Sequence, residues 1–199
     1  MDFNKFAHNW DTDRRIQRAK TISNFIMSKC KIDKNYILLE YGCGTGLISS
    51  HFVNHVSKII GYDTSDTMLE VFNTKFQEFN DRVSSTSNLV LFENSIDIVL
   101  SSMVFHHIMD IDLSFKEIHK VLRKNGHVFI IDLDQDDGSF HKDELDFSGH
   151  NGFNREFFME QLHNEGFRII DFGDILQDVK VVDKQMVEYS LFFVYAQKV

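Results

Sequence analysis

The chain has 199 residues, 43% hydrophobic and 26% charged, and its 21 Lys+Arg against 30 Asp+Glu leave a net charge of −9. That length suits one domain with a sizeable core, and the acidic balance excludes the broad basic face that nucleic acid needs. Cys30 and Cys43 have neither disulfide nor metal-ligand spacing, no apolar run reaches membrane-spanning length, and the first five residues lack a secretory core, so a reduced, cytoplasmic setting is expected.

In chain order, residues 14–29 read as a helix with Ile16, Ala19, Ser23 and Ile26 on one face. Its arginines Arg14, Arg15 and Arg18 have Asp11 and Asp13 beside them and read as a solvated face. A strand is predicted over 36–41, a helix over 47–55 and a second strand over 57–62. The next helix starts at Ser65 or Asp66, both good caps, with Met68, Leu69, Phe72, Phe76 and Phe79 as its apolar stripe. A short third strand falls at 82–86 and a fourth at 96–101. A helix with Ile111, Phe115, Ile118 and Leu122 on one side then stops at Asn125-Gly126. Residues 127–133 give the fifth strand, and 134–152 form a polar stretch too long for an idle connector. Asn154 caps a helix ending at Glu165, and strands at 168–176 and 188–197 suit an antiparallel pair.

The alternation of strands and helices predicts a Rossmann-like, mostly parallel sheet of seven strands, with helices on both faces and an antiparallel last strand pair. Residues 1–199 read as one domain, with 1–30 as a helical lid.

The densest signal is Glu40-Tyr41-Gly42-Cys43-Gly44-Thr45-Gly46, with Asp63 closing the next strand. A glycine at every second position lets the chain turn sharply at a strand end and lie flat against a ligand. An Asp at the tip of the neighbouring strand stands where ribose hydroxyls need an acceptor. A nicotinamide fingerprint G-x-G-x-x-G would need a third glycine at Leu47. The bland alternative is a tight turn with no ligand.

Glu40, Gly42, Gly44 and Gly46 fill the E/D-x-G-x-G-x-G motif, and the chain resembles the class I S-adenosylmethionine-dependent methyltransferases of small, single-domain type. The segments 93–99 and 122–126 resemble that family's entry to the fourth strand and its L-K-P-G-G turn. The resemblance implies S-adenosylmethionine as cofactor and in-line methyl transfer to a small-molecule acceptor. It places Glu40, Gly42, Cys43, Gly44, Gly46, Asp63, Thr64, Met68, Thr86, Ser101 and Ser102 at the cofactor. Thr86 stands near the slot where relatives carry an adenine-binding Asp. A binder or sensor of the same fold without transfer activity is the alternative.

Candidate bases are His106, His107, His141 and His150, none of which the sequence singles out as catalytic. No metal is expected at His106-His107, because adjacent ligands lack the i, i+4 helix geometry and no third ligand is evident. Neither nucleic acid nor membrane is an expected partner, and oligomeric state leaves no mark on the sequence.

Overall fold

A computed structural model describes residues 3–144 and 147–199. Helices α1 (Phe3–Phe6) and α2 (Asp13–Lys29) come first. They are followed by β1 (Ile37–Tyr41), α3 (Ser49–Phe52), β2 (Lys58–Tyr62), α4 (Asp66–Lys75), β3 (Val83–Thr86) and β4 (Ile96–Ser102). The second half holds α5 (Ile111–Val121), β5 (Leu122–Leu133), α6 (Arg155–Asn164), β6 (Phe167–Val182) and β7 (Gln185–Lys198). The seven strands form one sheet in the order β3-β2-β1-β4-β5-β7-β6. β1 to β5 run parallel, and β7 is antiparallel to both β5 and β6. This is the expected Rossmann-like architecture.

The inner strands are apolar on both sides because helices cover both faces of the sheet. Along β1, Leu38 faces a core with Phe52, Phe72, Phe129 and Phe193, while Leu39 faces a second core with Phe105, Phe115, Phe158 and Phe192. α5 puts Ile111, Phe115, Ile118 and Val121 into the second core at helical spacing, and each such side chain contributes roughly 1.5–3 kcal/mol by leaving water. Side-chain caps begin the longer helices: Thr12 accepts from Arg15 N, Ser65 from Met68 N, Asp110 from Leu113 N and Asn154 from Phe157 N.

Several boundaries differ from expectation. In α2, Ile22 takes the buried place expected for Ile16, which is 43% exposed. The helix expected over 47–55 keeps one α-turn, α3, between looser turns. Ser50 Oγ donates to Gly46 O at 2.8 Å, competing for the carbonyl that the ladder uses. α5 stops at Val121, before Asn125-Gly126, because Leu122 already pairs with Ile96. Lys198 Nζ donates to the His119 and Leu122 carbonyls at 2.6 and 2.7 Å and finishes the helix from across the sheet. The last two strands run further than 168–176 and 188–197 and meet in a turn at Asp183-Lys184, both at positive φ.

Candidate active site

β1 has β2 on one side and β4 on the other, so the connections leave in opposite directions and a crevice opens beyond its carboxyl end. The glycine turn lies there and is tied to the neighbouring strand, since Gly42 N and Cys43 N both donate to Tyr62 O at 2.8 Å. Gly42, Gly44 and Gly46 all have positive φ. A Cβ on Gly46 would lie 2.5 Å from Phe76 and 2.7 Å from Phe72, so the turn needs a residue without one. A Cβ on Gly44 would meet only Met68 Sδ and Trp10 Nε1, both at 3.9 Å, and would stand in the cavity. The bare backbone there forms a flat floor.

Two carboxylates frame this floor. Glu40 is buried, and its Oε2 accepts from Ser49 N at 2.9 Å and from Ser49 Oγ, which joins β1 to the start of α3. Burial pushes its carboxyl up to about 7, against the pull of the Ser49 bonds. Asp63 accepts from Gly44 N at 2.8 Å through Oδ2 and from Ser65 N at 2.9 Å through Oδ1. Each oxygen keeps a further lone pair for another donor. Burial raises this carboxyl too, while its backbone donors oppose the rise.

The cavity above the floor has a volume of about 430 Å³, within the range of small-molecule sites. Residues 3–29 roof it and are fastened down by named contacts. Thr45 Oγ1 donates to Asp11 Oδ1 at 2.5 Å, Lys75 pairs with Asp11 at 2.7 Å, and Ser65 Oγ donates to Asn4 Oδ1 at 2.7 Å. Trp10 lies in the lining with the Arg15 guanidinium 3.8 Å from its ring centroid.

Of the residues expected at the cofactor, Glu40, Gly42, Cys43, Gly44, Asp63, Thr64, Met68 and Ser102 line the cavity. Gly46, Thr86 and Ser101 do not. Gly46 serves the packing of α4. Thr86 Oγ1 is engaged with Asn88, donating to its O and accepting from its N. Ser101 is buried within β4, with its hydroxyl unpartnered. Burial pushes the Cys43 thiol up, so it is a neutral wall atom. Arg15 and Arg18, which read as solvated in the sequence, line the cavity. No periodicity signal separates them from solvent-facing arginines, because the roof is a contact between distant segments.

A second cavity, of about 220 Å³, adjoins the first and shares Trp10, Arg15, Arg18, Met103 and His107 with it. Met103 has φ +60 at the end of β4, a strained conformation at the seam of the two cavities. The 3-10 turn Phe105–His107 follows, and Asp132 at the end of β5 holds it. Asp132 Oδ2 accepts from Val104 N at 3.1 Å and Phe105 N at 2.8 Å, and its Oδ1 lies 2.5 Å from His106 Nδ1. Burial pushes the Asp132 carboxyl up, but the His106 ring and the Leu133 N–H outweigh it and hold the group below the usual range.

The described parts of the polar stretch 134–152, residues 134–144 and 147–152, are docked onto the turn after β4. Asp134 bridges to Phe153 at its base, His150 N donates to His106 O at 2.7 Å, and His150 Nε2 is 2.9 Å from Ile108 O. A Cβ on Gly149 would lie 2.0 Å from His106 O, so only glycine permits this approach. The loop brings His141 beside the His106-His107 pair of the turn after β4. His106, His107 and His141 each present a ring nitrogen within 4.8 Å of the others. Burial and the neighbouring His106 push His107 and His141 down to about 3, so both rings are neutral at neutral pH.

A glycine turn beside Glu40, with Asp63 on the next strand tip under a roofed crevice, is the arrangement expected of a class I methyltransferase fold. The comparisons agree. Residues 39–130 match the family described as "Methyltransferase domain". An uncharacterized methyltransferase of Schizosaccharomyces pombe is 32% identical over 64% of this chain and 51% of its own length. A ubiquinone biosynthesis O-methyltransferase of Pelagibacter ubique is 32% identical over 66% of this chain and 57% of its own. The chain thus spans about half the length of these relatives. A solved S-adenosylmethionine-dependent methyltransferase from Aquifex aeolicus superposes with a TM-score of 0.72 at 17% identity, covering 98% of each chain. Residues 39–130 thus match a methyltransferase domain, set in a sheet with the fold of solved S-adenosylmethionine-dependent methyltransferases.

The residues present suit that cofactor. Its ribose hydroxyls and ammonium are donors, which Asp63 and Glu40 can accept, and its carboxylate is an acceptor, for which Arg15 and Arg18 are available in the lining. The bare Gly44 floor leaves room for its body.

Proposed function

We propose that this chain transfers a methyl group from S-adenosylmethionine to a small-molecule acceptor that enters from the Met103 and His107 side. The observation that carries this reading is the pairing of Asp63 with the open Gly44 floor in one roofed cavity, beside a second cavity that shares its wall. When bound, the cofactor supplies an electrophilic methyl on a positively charged sulfur. The protein's work is then to bind, orient and exclude water. Asp63 holds the ribose hydroxyls, Glu40 faces the ammonium, and Arg15 and Arg18 hold the carboxylate. Residues 3–30 act as a lid, with Trp10 closing over the floor; residues 1 and 2 of the expected lid lie outside the described residues. The smaller cavity presents the acceptor to the methyl.

Turnover tests this reading: a labelled methyl donor is incubated with the chain and pooled low-mass metabolites, and label should appear in a small product. Cofactor binding without any transfer would favour the sensor alternative.

Glu40 adds a pH signature. Its carboxyl is pushed up to about 7, so an ammonium docking against it must displace a proton. Affinity for S-adenosylmethionine should therefore rise about tenfold from pH 6 to pH 8, with proton release seen by titration calorimetry in buffers of different ionisation enthalpy. Glu40→Gln should flatten that dependence. Without ligand the sign reverses: a carboxyl raised from 4.5 in the unfolded chain costs stability as pH climbs through 7.

A further inference from the structure

We infer that His106, His107 and His141 form a binding site for one divalent transition-metal ion of the zinc and cobalt class. One ring nitrogen from each lies within 4.8 Å of the other two, close enough for a modest side-chain adjustment to bring all three onto one ion. Three imidazoles with room for an exogenous fourth ligand are the usual protein contribution at a reactive zinc site.

Two independent features point to a missing ligand. His141 Nδ1 is buried with no hydrogen-bond partner, and so is Glu144 Oε2, which belongs to the same small cavity. Buried polar atoms are rarely left unpaired, and here two orphans of metal-binding type share one cavity. The surrounding architecture also has the form of a metal site. Asp132 grips His106 at Nδ1, at 2.5 Å, which leaves the other ring nitrogen to bind; a carboxylate behind a histidine ligand fixes both tautomer and orientation. Phe147 stacks on His141 with centroids 3.7 Å apart and planes at 5°, which holds the second ring. The third, His107, is packed edge-on against Phe3 and Phe147.

Charge in the neighbourhood permits a cation. Arg14, Arg15, Arg18 and Lys180 line the cavity, but Arg14 is 3.1 Å from Asp178, Lys180 is 3.6 Å from Asp143 and 3.5 Å from Glu144, and the Asp132 carboxylate lies directly behind the imidazoles. A metal held there adjoins the larger cavity through the shared His107. That it would take the acceptor's nucleophilic oxygen or sulfur as its open ligand rests on the methyl-transfer reading above.

The test needs neither cofactor nor acceptor, so its failure is distinct from failure of that reading. Untagged protein, stripped with chelator, is titrated with Co²⁺ and with Zn²⁺, and the loaded metal is studied by X-ray absorption. One equivalent should bind, with ligand-field absorption for cobalt and three imidazole nitrogens around the ion. His141→Ala and His107→Gln should each weaken binding at least about tenfold, whereas His163→Ala, on the exposed side of α6, should not. Absence of stoichiometric uptake, equal uptake by all variants, or fewer than three imidazoles at the metal would overturn the proposal. The absorption measurement decides even if a variant fails to fold.

Discussion

Asp132→Ala is expected to be the most damaging single substitution in the site, lowering unfolding free energy by about 4–5 kcal/mol. The residue is fully buried. Its carboxylate receives Val104 N, Phe105 N, Leu133 N and the His106 ring, at distances between 2.5 and 3.1 Å. Alanine would orphan all of these at once, and each unsatisfied buried donor costs about 1–3 kcal/mol, less whatever a water entering the gap restores. Asp132→Asn keeps the volume and one acceptor but aims an amide at donors, so an intermediate loss is expected. Urea unfolding measures both, as a fall in the midpoint at constant slope. The sign with pH follows from the depressed carboxyl. Its contribution is present above the unfolded pKa and is lost as pH falls through the folded one, so the two proteins should converge in stability in acid. Equal midpoints for wild type and Asp132→Ala at neutral pH would contradict the anchoring role.

Asp63→Ala is expected to weaken S-adenosylmethionine binding by about a hundredfold. Two hydroxyl donors to an ionised carboxylate are together worth roughly 2–4 kcal/mol, and about 1.4 kcal/mol corresponds to tenfold. The change also removes the acceptor for Gly44 N and Ser65 N, so the floor itself loosens. Asp63→Asn separates the two effects. It keeps one acceptor oxygen and the side-chain volume, and should recover most of the melting temperature but only part of the affinity. Calorimetric titration with the cofactor and its demethylated product gives the affinities, and a thermal melt gives the stability. Unchanged affinity in Asp63→Ala would remove the ribose contact from the proposed mechanism.

Much of the core was legible because local patterns determined it. The run at 36–41 and the stripe Met68, Leu69 and Phe72 are buried by one sheet and one helix, so their periodicity survives folding. The glycine turn was legible for the same reason, since its neighbours Tyr62 and Ser49 lie close in sequence. What the sequence concealed depends on distant segments meeting. His141 joins His106 and His107 only because His150 and Gly149 clamp the loop to the turn after β4. Arg15 and Arg18 enter the cavity only once the first helices lie over it. Lys198 ends α5 from the far strand, so a helix stop sought among local residues falls several positions late. Thr86 lies outside the cavity lining for the opposite reason: a local turn with Asn88 engages its hydroxyl.

The position of β7 between β5 and β6 has a consequence for biogenesis. During vectorial synthesis the parallel half of the sheet emerges first, with the edge of β5 open until β7 leaves the ribosome and inserts beside it. β6, made earlier, pairs among the described residues only with β7. A nascent chain stalled before Gln185 therefore displays an unsatisfied strand edge bearing Phe129, Ile130 and Ile131, a template on which another chain could pair.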